Sequence, residues 1–190
     1  MPRLFLLALT MFVIASDQQL LTLEVRVFRG TEDVTAHSRV IVHRAGERGQ
    51  PVAQVGVGEK SVSLSVPAGI YDAQAVEEHD GRVLNIRWAE RLVVMPYPDE
   101  GGHHLEVINF TAGYGALQIR TAAGALPDDI ALFLSNDRGQ PAATARRHDR
   151  YILFIVRAGQ YDIQVTRAAR PTWHTNIEVP LDRTRLWIAP

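Results

Sequence analysis

The sequence predicts an all-β protein assembled from two tandem copies of one small β-sandwich. Three observations carry that expectation. An internal repeat recurs at a fixed offset, short alternating apolar segments are separated by turn signals, and beyond the N-terminal segment no stretch sustains a 3.6-residue apolar period with a cap.

The repeat is specific. Arg48-Gly49-Gln50-Pro51-Val52-Ala53 returns as Arg138-Gly139-Gln140-Pro141-Ala142-Ala143, offset by 90 with five of six residues identical. Val66-Pro67-Ala68-Gly69-Ile70-Tyr71-Asp72-Ala73-Gln74-Ala75-Val76 returns at the same offset as Val156-Arg157-Ala158-Gly159-Gln160-Tyr161-Asp162-Ile163-Gln164-Val165-Thr166, with six of eleven identical. Trp88, Leu92 and Val94 parallel Trp173, Ile177 and Val179 at an offset of 85, so the second copy is shorter after its Tyr-Asp strand.

Strands are expected over Leu21–Phe28, Arg39–His43, Ser61–Val66, Ile70–Val76, Leu84–Val94 and Leu105–Phe110 in the first copy. In the second they are expected over Ala116–Thr121, Ile130–Leu134, Tyr151–Val156, Tyr161–Thr166, Thr172–Val179 and Arg185–Ile188. Gly46-Glu47-Arg48-Gly49, His79-Asp80-Gly81, Asp137-Arg138-Gly139 and Ala158-Gly159 supply the turns. The boundary between copies falls near Thr111-Ala112-Gly113-Tyr114-Gly115, giving a signal peptide over 1–16 and domains over 17–111 and 112–190. In each Ala-Gly-x-Tyr-Asp element the glycine is expected at positive φ, closing a tight turn. The tyrosine is expected at the rim of the core, ring inward, with its hydroxyl in reach of a backbone carbonyl, as in the tyrosine corner of immunoglobulin-like sandwiches. Asp72 and Gln74, repeated as Asp162 and Gln164, then mark a polar outward sheet face suited to a partner contact or to domain packing.

The Val-Pro-Ala-Gly-Ile-Tyr-Asp and Val-Arg-Ala-Gly-Gln-Tyr-Asp segments resemble the carboxypeptidase-regulatory-like, or transthyretin-like, superfamily of bacterial exported proteins, over roughly Leu23 to Ile188. The resemblance implies seven-stranded prealbumin-like Greek-key sandwiches acting as accessory, adhesive or scaffolding modules. It assigns no function to particular residues.

Met1-Pro2-Arg3 followed by the apolar run Leu4–Ala15 reads as a signal peptide, since twelve residues fall short of the ~20 needed to span a bilayer. Val13 and Ala15 fit the cleavage positions, so the mature chain is expected to start near Ser16 or Asp17, in the periplasm or outside the cell. The formal net charge of −1 gives no reason to expect nucleic acid or an anionic membrane as partner, and no later segment is long enough for membrane insertion. Arginine outnumbers lysine 19 to one, the sole lysine being Lys60. The absence of cysteine excludes disulfides, zinc-thiolate sites and thiol catalysis.

No nucleophile motif surrounds any of the six serines, and Ser61, Ser63 and Ser65 read as the solvated face of a strand. Gly56-Val57-Gly58-Glu59-Lys60 lacks phosphate-loop spacing. Asp99-Glu100-Gly101-Gly102-His103-His104 brings carboxylates and imidazoles together. Its spacing matches no zinc pattern, and a polar hairpin loop is expected there instead. Asn109-Phe110-Thr111 matches a glycosylation sequon and is taken as coincidental. Trp88 and Trp173 occupy equivalent positions, favouring packing roles, whereas Trp187 is the ring expected to face outward or toward the other domain. The sequence therefore points to a non-enzymatic protein without cofactor, engaging another envelope or extracellular protein through sandwich edges or loops. Carbohydrate recognition through exposed aromatics such as Trp187 is the alternative.

Overall fold

The computed structural model of the chain describes residues 19–97, 101–122 and 125–190. The apolar N-terminal run and Asp99–Glu100 of the histidine loop lie outside the described residues. Apart from a single 3-10 turn over Thr35–His37, the regular structure described is strand. No helix among the described residues is long and apolar enough to cross a membrane.

In the N-terminal half, β1 (Leu20–Arg29) carries β2 (Glu32–Asp33) at its end. It pairs antiparallel with β5 (Val62–Pro67) and parallel with β8 (His103–Asn109). A second sheet orders β4 (Ala53–Val55), β3 (Ser38–Arg44), β6 (Gly69–His79) and β7 (Arg82–Val94). The C-terminal half repeats the pattern. There β9 (Tyr114–Thr121) pairs antiparallel with β12 (Ile152–Arg157), which carries β11 (Arg146–Arg147), and parallel with β15 (Thr184–Ala189). The facing sheet orders β10 (Asp129–Leu134), β13 (Gly159–Arg167) and β14 (Arg170–Val179). All twelve expected strands are present. The unexpected ones, β2, β4 and β11, have two or three residues and carry no readable period.

Alternation builds the cores. Leu21, Leu23, Val25 and Val27 of β1 meet Val40, Val42, Ala73, Ala75, Leu92 and Val94 of the facing sheet. Leu117, Ile119, Ile152 and Phe154 do the same against Leu132, Ile163 and Ile177. A third cluster joins the halves: Phe28, Leu105 and Val107 pack on Ala116, Tyr151, Leu153 and Ile155. The β1–β8 face left over by the first core is thus covered by β9 and β12. Strand β12 (ILFIV) is buried along its length on both faces, which explains why its sequence does not alternate.

Two expectations need correction. The segment between β7 and β8 is not a hairpin. These strands lie in different sheets, because parallel pairing of β8 with β1 requires a crossover from one layer to the other. Neither Gly69 nor Gly159 is at positive φ. Gly69 is small because a Cβ there would stand 3.3 Å from the Tyr71 ring, which folds back beneath it. The expected Asp80–Gly81 hairpin is present with both residues at positive φ (49° and 72°). The equivalent β13–β14 turn places Ala168 and Ala169 at 46° and 60°.

Tyr71 and Tyr161 are buried with rings inward, and each hydroxyl donates to the carbonyl four residues earlier, Pro67 and Arg157, at 2.6 Å in both cases. Denaturant unfolding of Tyr71→Phe and Tyr161→Phe should show losses of about 1 kcal/mol each. The alanine variants should lose about 3–5 kcal/mol, the range for buried aromatic truncation. Near-neutral alanine variants would contradict this packing.

Candidate functional site

The repeated polar residues are structural anchors. Asp72 and Asp162 were expected on an outward face, yet both are buried, each at a bulge where the strand register shifts. Asp72 accepts the backbone N–H groups of Gly46 (3.1 Å) and Arg91 (2.9 Å). Asp162 accepts the Nε and Nη2 of Arg138 (2.9 and 2.7 Å), the Ser135 hydroxyl and the Asn176 N–H. Arg91 and Asn176 both sit at positive φ, 57° and 59°, so each aspartate secures a strained backbone step. Burial pushes the Asp72 carboxyl up, but the Arg91 and Gly46 N–H bonds hold it below its ordinary range; for Asp162 the Arg138 guanidinium does so.

The arginine of each Arg-Gly-Gln-Pro segment completes the motif. Arg48 lies 4.3 Å over the Trp88 ring and Arg138 4.3 Å over Trp173. Sequence reasoning had every member of this Asp–Arg–Trp set in its two repeats but not their meeting. The shared 90- and 85-residue offsets were the signal. Gln74 and Gln164 are half-buried and lie opposite those tryptophans in the sheet register.

Trp187 does not face outward. Its ring packs on the C-terminal core and meets His174 edge-on at 5.0 Å. Asn109 is buried and bridges Gly30 N and Gly30 O through its amide, which removes it as a glycosylation acceptor in the folded chain. His103 and His104 point to opposite sides of β8: His103 reaches Glu24, and His104 Nε2 contacts the Met95 backbone at 2.6 Å. Among the described residues no three His, Cys, Asp or Glu side chains are grouped to hold a metal.

The place where unrepeated chemistry gathers is a cleft of about 530 Å³ between the β1–β5 face and the turn joining β11 to β12. Its floor is Glu24. The carboxylate accepts from Arg26 Nε (2.8 Å), Tyr151 Oη (2.7 Å) and, more loosely, Ser61 Oγ (3.4 Å) on Oε1, and it contacts His103 Nε2 (2.9 Å) on Oε2. Burial alone would raise its pKa; the bonds from His103, Tyr151 and Arg26 outweigh that and hold it at about 2. Burial and the adjoining carboxylate push the Tyr151 phenol up. Arg26 Nη2 stands 3.3 Å from His148 Nδ1. Since arginine only donates, this nitrogen is the acceptor and the His148 ring is neutral, in keeping with the lowering of its pKa by burial and Arg26. These partners come from β1, β8, the residue before β5 and the β11–β12 turn, which ends at Tyr151, so sequence spacing could not reveal them.

A second carboxyl is of the opposite kind. Glu106 on β8 is buried with Oε1 lacking a hydrogen-bond partner, and desolvation raises its pKa to about 8 despite Arg183 and Thr184 nearby. It is a neutral acid at pH 7.

The fold and cleft define an all-β sandwich protein with a polar junction between its halves. No family model matches the chain, and no curated protein does. Among solved structures it is similar to the TIE protein of Bacillus anthracis (16% identity, TM-score 0.33), over 88% of this chain and 33% of that one. The chain therefore spans about a third of that protein's length. It is also similar to a C-terminally truncated tip fimbrial protein of Porphyromonas gingivalis (10% identity, TM-score 0.32, 90% of this chain and 94% of that one). A streptococcal ancillary pilin gives 11% identity and a TM-score of 0.31, over 90% and 63%. At these scores the likeness supports no functional statement.

The two carboxyls shape the pH dependence of stability in opposite directions. Glu24, depressed in the folded state, contributes stability that is present above its unfolded pKa and lost as pH falls toward 2. Glu106, raised when folded, favours folding fully only below its unfolded pKa, and that contribution is lost as pH rises through about 8. Unfolding from pH 3 to 9 should show Tyr151→Phe costing about 1.5–3 kcal/mol near neutrality and less toward pH 3, because Glu24 with one donor fewer is less depressed and its acid loss is shallower. Glu106→Gln should flatten the decline between pH 5 and 8. Profiles parallel to that of the unaltered chain would contradict both assignments.

Proposed function

We propose that this chain is an exported, non-enzymatic binding or scaffolding protein made of two copies of one sandwich, 17–111 and 112–190, that engages another envelope or extracellular protein through a sheet edge. The Ala-Gly-x-Tyr-Asp segments favour a place beside the transthyretin-like exported modules. The twin pairing patterns of the halves favour duplication.

The observation that carries the reading is strand β7. It is thirteen residues long, pairs among the described residues only with β6, and leaves Val83, Leu84 and Ile86 more than half exposed along an open edge. An edge with unpaired backbone groups and flanking aliphatic side chains can take an added strand. The aromatic route to carbohydrate has less support, because Trp187 is packed on the core and Trp88 and Trp173 lie beneath arginines.

Retention of envelope proteins by the immobilised chain should fall at least tenfold in a Leu84→Asp/Ile86→Asp variant that keeps its thermal midpoint. Undiminished retention would remove β7 from the reading. Polysaccharide sedimentation lost on Trp187→Ala would favour the carbohydrate alternative. N-terminal sequencing of the exported protein should begin near Ser16 or Asp17; a soluble cytoplasmic chain starting at Met1 would refute export.

A further inference from the structure

The cleft over Glu24 is built from residues that the fold itself does not require. The strand registers give its strand positions on β1, β5 and β8 a counterpart in the C-terminal half; Arg26 is matched by another arginine, Arg120, and the others differ. Glu24 pairs with Ser63 on β5 and Gln118 with Leu153 on β12; Thr22 pairs with His103 on β8 and Ala116 with Thr184 on β15. Thr22, Glu24, Ser63 and His103 thus stand where the other half has Ala116, Gln118, Leu153 and Thr184. One scaffold tolerates both sets, so the hydroxyls and the ion are not there to make the sheet.

Nor does the ion add stability that apolar packing would lack, since a buried charge with several partners roughly breaks even against a hydrophobic replacement. Its effect is to fix geometry. Glu24 locks the rotamers of Arg26, His103 and Tyr151, giving the cleft a rigid polar floor.

Four groups at the cleft remain uncommitted among the described residues: the hydroxyls of Thr22 and Ser63, the Asp149 carboxylate and the Arg150 guanidinium. Arg26 is used by Glu24, Lys60 O and His148, and Arg147 by the carbonyls of Pro127 and Asp128. The lining carries three arginines against two carboxylates. A planar guanidinium suits a carboxylate, and two hydroxyls with an acceptor carboxylate suit a ligand bearing several hydroxyl groups. Among the described residues the lining has no aliphatic side chain, and Tyr151, its one ring besides the histidines, is buried. Apolar peptide side chains would find no contact there. The volume lies within the range of small-ligand sites.

We propose that this cleft binds an acidic saccharide, a uronic-acid-type ligand whose carboxylate meets Arg150 and whose hydroxyls meet Ser63, Thr22 and Asp149. This site is separate from the β7 edge and stands or falls without it.

Calorimetric or NMR titration of the full chain would use a galacturonic acid tetrasaccharide, the neutral galactose tetrasaccharide and an Asp-Gly tetrapeptide as probes. The acidic saccharide should bind at least tenfold more tightly than either other probe. Arg150→Ala and Ser63→Ala are surface changes that should leave the thermal midpoint unchanged and should each weaken binding about fivefold or more. Leu84→Asp/Ile86→Asp should leave binding intact. Absence of binding would overturn the proposal, as would equal affinity for the neutral sugar, equal affinity for the acidic peptide, or binding indifferent to both Arg150→Ala and Ser63→Ala.

Discussion

The arrangement of the two halves depends on how β1 disposes of its second face. One face is committed to the N-terminal core through Leu21, Leu23, Val25 and Val27. The other carries Glu24, Arg26 and Phe28, and it is covered by strands of the C-terminal half. Phe28 is satisfied by apolar contact with the joining cluster. Glu24 is ionised and nearly buried, so it is tolerable only with donors on several sides. Those donors come from its own strand, from β8 and from Tyr151 across the junction. A shift of one half against the other would leave a buried charge short of a partner. The carboxylate therefore specifies relative position more than it adds stability. Arg87–Asp182 at 2.7 Å and the Thr184 hydroxyl on Val107 N at 2.8 Å tie the same junction elsewhere.

Within each half the repeated residues solve one mechanical problem twice. The strand beside each tyrosine strand carries one extra residue opposite the aspartate, and its backbone passes through positive φ there, at Arg91 and Asn176. A buried aspartate at the bulge accepts the N–H exposed there, and an arginine stacked on tryptophan flanks the aspartate. Asp72 and Asp162 recur because the bulge recurs. The period-2 rule placed them on the face opposite the tyrosines, and they lie on it: Tyr71, Ala73 and Ala75 face one core and Tyr161, Ile163 and Val165 the other, while the bulged neighbouring strand and the arginine cover each aspartate.

The fold was legible because its elements are local. Alternation in LTLEVRVF, the Asp80–Gly81 turn and the offset repeats are all readable within a few residues. The rim-inward tyrosines were legible for the same reason. The candidate site was not. Glu24 and Tyr151 are 127 positions apart in sequence, and nothing around either residue signals the other. The crossover from β7 to β8 was missed because a polar segment between two strands looks alike whether it makes a hairpin or changes sheets. The pairing of β8 with β1 decides that, and the pairing is non-local. One hint did lie in the sequence. The run from Tyr151 to Val156 is apolar without alternation, the mark of a strand buried on both faces, and it foretold that something must cover its second face.

An internal repeat also sorts structural need from everything else. Positions that the sandwich demands hold the same chemistry in both halves: tyrosine at the rim, aspartate at the bulge, arginine over tryptophan. Positions that differ are released from that demand, and two kinds stand out. Glu106 aligns by register with Trp187, since Val25 pairs with Glu106 and Ile119 with Trp187. Where one half fills its core with an indole, the other buries a carboxyl that stays protonated at pH 7, an unfavourable choice for packing. Glu24 and its hydroxyl neighbours align with glutamine, alanine and leucine. Both departures lie on the N-terminal half, on the strands nearest the junction. The C-terminal half follows the fold's own preferences, and the N-terminal half departs from them where the two meet. Selection for stability alone would not produce that asymmetry, so the junction, like the β7 edge, is a place where function is to be sought.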